Sequence, residues 1–69
     1  MILFASNDRN LTHQKLAEVL TLQNGDTPFP NAFCREDYNA SEMYEVHHGL
    51  EPLTPAQQAQ AEALALALK

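Results

Sequence analysis

The sequence predicts a small, mainly α-helical domain, and three observations carry that expectation. A capped run of strong helix formers closes the chain. An amphipathic segment precedes Gly25. Only one strand-like run is visible, at the N-terminus. The closing helix is the clearest. "TPAQ" sets Thr54 at the N-cap, Pro55 at the first helical position and Gln57 where its amide can return to the cap. Residues 55–69 are then Ala, Leu, Gln and Glu almost throughout, residues that lose little side-chain freedom in a helix. The alternation in "LALAL" fits a strand period, but Ala is a poor strand residue and the cap precedes it.

The remaining elements follow in chain order. Ile2–Ala5 is a short apolar run, either a strand of four or five residues or an apolar lead into a helix. Residues 11–24 read as a principal helix, capped by Asn10 or Thr12 and stopped at Gly25. Leu16, Val19 and Leu20 share one face of it with Thr12 and Gln23. "DTPFPN" is a turn, because Pro28 and Pro30 lack backbone donors and restrict their predecessors. Phe29 between them is expected to anchor the loop in the core. Asn31 starts a short helical turn through Phe33 and Tyr38. A further helix runs from Asn39 or Ser41 to Gly49, with Glu42 completing a capping box on Asn39. Glu51-Pro52-Leu53 is a linker.

The chain is expected to be one domain over residues 1–69. A chain of this size buries only about 60% of the surface its unfolded form exposes, so it needs a staple. Cys34 is the single cysteine, which excludes a disulfide within the chain and fits a reducing compartment. Oligomerisation or a partner remains, and a homodimer is expected. The segment "ALALALK" supports this, being apolar on two sides. Leu64 and Leu68 line one side with Ala61. Ala59, Ala63 and Leu66 line the other and are assigned to the dimer interface. "MILFA" is too short for a signal-peptide core, and no apolar run approaches a membrane span. A cytoplasmic location is expected, with no membrane partner.

Charge narrows the partner. The net charge is −5, and it lies wholly in the second half. Asp8, Glu18 and Asp26 cancel Arg9, Lys15 and Arg35. Glu36, Asp37, Glu42, Glu45, Glu51 and Glu62 face only Lys69. Such a surface repels phosphate backbones and suits a basic protein surface.

"LTHQKLAEVL" resembles the start of the second helix in phage-repressor-type helix-turn-helix domains, through Leu11-Thr12 and Leu16-Ala17. The resemblance implies a DNA-binding regulator. It requires a short turn and a polar recognition helix next. The chain continues instead with "TLQNGDTPFPNAF" and has no basic residue before Arg35, so direct nucleic-acid binding is not expected.

The stretch "CREDYNASEMYEVHH" holds the chemically rich side chains. On a helix His47 and His48 point about 100° apart and cannot share an ion, whereas chelating pairs use a spacing of four. Cys34 lacks a second cysteine at finger spacing. No metal and no cofactor is expected, and a small structural metal-binding protein is only an alternative. A thiol or carboxylate active site needs an enclosed pocket that so short a chain has little volume to build, so no catalytic residue is assigned. Cys34 is read as a small core residue. What remains is a binding surface of Glu36, Asp37, Tyr38, Glu42, Tyr44, Glu45 and His48. Tyrosine brings contact area at low entropy cost, and carboxylates bring steering. The function expected is a protein–protein interaction module. It would regulate or inhibit a larger protein, one with a basic or nucleic-acid-binding surface, by occluding a site. Small acidic proteins of phages and mobile elements often work this way.

Overall fold

The computed structural model describes all residues, Met1–Lys69. Its architecture is α+β, which corrects the mainly helical expectation. In chain order the elements are β1 (Ile2–Ser6), α1 (Arg9–Thr21), a 3-10 turn (Leu22–Gly25), β2 (Phe33–Glu36), β3 (Tyr44–His47) and α2 (Pro55–Leu68). The strands form one antiparallel sheet in the order β1-β3-β2. β1 therefore finds its partner within the chain.

The two helical segments expected between Asn31 and Gly49 are strands. Each is only four residues long, and "FCRE" and "YEVH" carry too many polar residues to announce themselves. A ten-residue helix there would be marginal alone. The central position of β3 instead gives its backbone partners on both sides, with Phe4↔Val46↔Cys34 and Ala5↔Glu45↔Arg35 in register. Asn39 and Glu42 form no capping box. They lie in the β2–β3 loop, where the Asp37 carboxylate accepts the Asn39 N–H at 3.0 Å. Asn7 pins this loop to the β1–α1 turn: its amide oxygen accepts the Met43 N–H at 2.8 Å, and its amide nitrogen donates to the Ser41 carbonyl.

α1 starts earlier than the sequence suggests because Asp8, not Asn10 or Thr12, is its cap, accepting the Leu11 N–H at 3.1 Å. Thr12 is buried instead, and its hydroxyl joins Ser6 to the Asp8 carbonyl. The helix stops at Thr21, before Gln23, Asn24 and Gly25 take positive φ. The chain then runs through the 3-10 turn into β2. No recognition helix follows α1, so the helix-turn-helix arrangement is not formed.

Residues in register point to the same side of a sheet, and neighbours alternate. Phe4, Val46 and Cys34 thus share a face. The Cys34 Sγ contact with the Thr12 carbonyl, 3.9 Å, marks it as the face α1 covers. Arg35, Glu45, Phe33 and His47 share the opposite face. α2 packs along β1 and does not pack comparably on β2 or β3. The core joins Leu3, Val19, Phe29, Ala32, Val46, Ala61 and Leu68. Phe29 is fully buried, as the flanking prolines suggested.

α2 has the cap the sequence announces. The Thr54 hydroxyl accepts the Gln57 N–H and the Gln57 amide accepts the Thr54 N–H, at 3.2 and 2.9 Å. Thr54→Ala should lower stability by about 1 kcal/mol, read as a shifted urea midpoint at constant slope. An unchanged midpoint would mean that α2 is held by packing alone. No helix is long and apolar enough to cross a membrane.

Candidate functional site

The structure divides the expected binding residues into two sets. Glu36, Asp37, Tyr38 and Glu42 gather where β2 turns into β3. Glu36, Tyr38 and Glu42 are exposed and Asp37 is half-buried. Tyr38 stands out at 75% exposure. Its hydroxyl donates to the Glu36 carboxylate. That bond, with the carboxylate charge, raises the phenol above its ordinary pKa. No Lys or Arg occurs between Glu36 and Leu68; the nearby cations are Arg35, which also attracts Asp37, and Lys69, which lines a hollow with Glu42.

Tyr44, Glu45 and His48 are placed differently. Tyr44 is half-buried, while Glu45 and His48 are buried. The Glu45 carboxylate accepts from Arg35 Nε at 2.7 Å, and this bond raises the Arg35 pKa. Glu45 is thus already neutralised within the sheet. Ala59, Ala63 and Leu66 lie on the outer side of α2, with Leu66 70% exposed.

The histidines form a second site that helical reasoning dispersed. His47 ends β3 and His48 follows it. Their rings lie 4.2 Å apart between centroids, tilted by 36°. Phe33, cross-strand from His47, stacks on it at 5.2 Å, and Phe29 lies 6.3 Å from His48. His47 Nδ1 accepts the Gly49 N–H at 3.0 Å, and His48 Nδ1 accepts the Leu50 N–H at 2.9 Å. Each such neutral bond is worth about 0.5–1.5 kcal/mol net. With Nδ1 accepting, a neutral ring carries its proton on Nε2. His47 Nε2 lies 3.3 Å from Glu51 Oε1. Burial, then the neighbouring His47 and the N-terminal amine, push the His48 pKa below its ordinary value against the pull of Glu51. Beside that ring an open hollow of about 520 Å³ is lined by Met1, His48, Leu50, Glu51, Leu53 and Gln58, among others.

Cys34 and His13 line a separate hollow with Arg9, Arg35, Glu36 and Tyr44. Burial raises the Cys34 pKa above its ordinary value. Cys34 packs against the core, as its neighbour Phe33 suggested. Phe33 itself is 45% exposed.

The sequence signal for the histidine turn was present but weak. A His-His pair followed by Gly49, which has φ of +78°, marks a chain reversal that brings Glu51 back. Comparison with known protein families, curated proteins and solved structures finds no match.

Proposed function

We propose that this chain is a small cytoplasmic interaction module that regulates or inhibits a larger protein by covering a basic site on it. The observation that carries the reading is the β2–β3 loop: a 75% exposed Tyr38 among Glu36, Asp37 and Glu42, with no cation in the sequence from there to Leu68. An exposed tyrosine whose hydroxyl is already held by a carboxylate loses little freedom on docking. The surrounding charge attracts Lys or Arg from a distance and pairs with it on contact. Asn7 tethers the loop to the β1–α1 turn, so the surface is presented on a fixed frame. Of the other residues expected in the surface, Glu45 is buried in β3 and paired with Arg35, and His48 is buried beyond the far end of that strand.

Affinity capture tests this with wild type beside Tyr38→Ala and beside a Glu36→Gln, Asp37→Asn, Glu42→Gln variant. Folding should be unchanged in both. A protein held by wild type, released by rising salt and lost with either variant is expected. If nothing distinguishes wild type from the variants, the loop is not the contact surface.

The same reading makes the outer side of α2 a contact between two copies, through Ala59, Ala63 and Leu66. Small residues there allow close helix approach, and an exposed leucine gains by burial. Leu66→Glu should convert a dimer to a monomer in sedimentation. A molecular mass equal in both proteins would remove α2 from the interface.

A further inference from the structure

We propose that His47, His48 and Glu51 form a binding site for a divalent transition-metal ion of the zinc class. One donor atom from each residue lies within 4.8 Å of the others. The His47 Nε2 to Glu51 Oε1 spacing is 3.3 Å. Two donors about 2.1 Å from a tetrahedral ion sit about 3.4 Å apart, so this pair already has the required spacing. Glu51, with its side chain 77% exposed, can rotate to adjust its own spacings, while the two buried rings lie within the same 4.8 Å limit as they stand.

The donor set selects the ion. Two imidazoles and one carboxylate suit zinc, copper and nickel, whereas calcium and magnesium favour shells made wholly of oxygen. Three protein donors leave a fourth position for water, and the open hollow beside His48 and Glu51 supplies the access.

The two backbone hydrogen bonds set the terms of binding. Nδ1 of each ring now accepts an N–H, so the proton sits on Nε2. Coordination through Nε2 moves that proton to Nδ1 through solvent, and each ring keeps one proton. The Gly49 and Leu50 N–H groups must then turn away from a nitrogen that has itself become a donor. Two neutral hydrogen bonds are given up for three coordinate bonds. Binding therefore rearranges the His47–Glu51 turn and ties the end of β3 to the segment before α2. A chain this small, with a single cysteine, has no covalent staple at that point.

Zinc chloride titration of the full chain, followed by calorimetry, thermal unfolding and amide NMR, tests the site. One equivalent per chain is expected, with a Tm rise of at least about 5 °C when zinc is 100-fold above Kd. The Gly49 and Leu50 amide resonances should move most. Glu51→Ala, at an exposed position, should fold normally and bind at least about 10-fold more weakly. His13→Ala and Cys34→Ser, which change donors outside the cluster, should bind as wild type does. No saturable binding overturns the proposal. So does full affinity in Glu51→Ala, loss of affinity in His13→Ala or Cys34→Ser, or zinc binding that leaves the Gly49 and Leu50 amides unmoved.

Discussion

Gly49→Ala should lower stability by more than about 3 kcal/mol, a large part of what so small a domain has. Two costs add. Gly49 has φ of +78°, a conformation that costs a residue with a Cβ about 1–2 kcal/mol. A Cβ at that position would also lie 2.1 Å from the Asn31 carbonyl oxygen and 2.5 Å from its carbon. Backbone atoms cannot swing aside as a side-chain end can, so either the end of β3 or the turn before β2 must shift. Gly25→Ala is the control. Its φ is +95°, but a Cβ there meets nothing within 4 Å, so only the conformational cost applies. Urea unfolding of both variants separates the two contributions. Equal losses would mean that the approach of Gly49 to Asn31 is not tight.

What the residues disclosed in advance, and what they hid, divides by the range of the interactions. α2 was legible because its signals are local: a reciprocal Thr54–Gln57 cap, Pro55 at the first position and a run of helix formers. The anchor at Phe29 was legible because two prolines fix the chain around it. β2 and β3 were not. The identity of β3 depends on pairing with β1, from Ser6↔Tyr44 to Ile2↔His47, and that of β2 on pairing with β3, and no periodicity in four residues can report either. The segment 39–48 even has a helical cap signature, which the sheet overrides. The same error concealed the second site. Reading His47 and His48 as helical put their rings on different faces. At the end of a strand, followed by a left-handed glycine, they stack and meet Glu51. Charge asymmetry needed no fold, but the sequence puts the acidic surface on helical segments from Glu36 to His48 with both tyrosines in it, whereas Tyr38 lies exposed in the β2–β3 loop and Tyr44 half-buried in β3.

The two candidate sites occupy the two ends of the central strand. Tyr44 begins β3 beside the acidic loop, and His47 ends it beside the histidine turn. Between them the Glu45–Arg35 pair and the buried Val46 tie β3 to β2 and the core. The same frame lets each be tested alone, since Glu51→Ala and Tyr38→Ala change exposed side chains at opposite ends of it.

Two aromatic residues of the chain should respond to truncation in opposite ways. Phe29 is fully buried and belongs to the same core as Leu3, Val19 and Val46. Removing its ring leaves a cavity at the point where the loop from α1 to β2 is fastened. The expected cost of Phe29→Ala is about 3–5 kcal/mol. The loss combines the hydrophobic transfer of the ring with contacts that neighbouring atoms cannot recover. In addition, the Phe29 ring lies against His48, so water admitted to the cavity would relieve the burial that holds the His48 pKa down. Tyr38→Ala removes a ring that is 75% exposed and should change stability by less than about 0.5 kcal/mol. Thermal unfolding of the two variants side by side makes the comparison. A large loss in Tyr38→Ala would place that ring in the folding core and withdraw the contact surface built around it. A small loss in Phe29→Ala would mean that the loop collapses into the space the ring leaves.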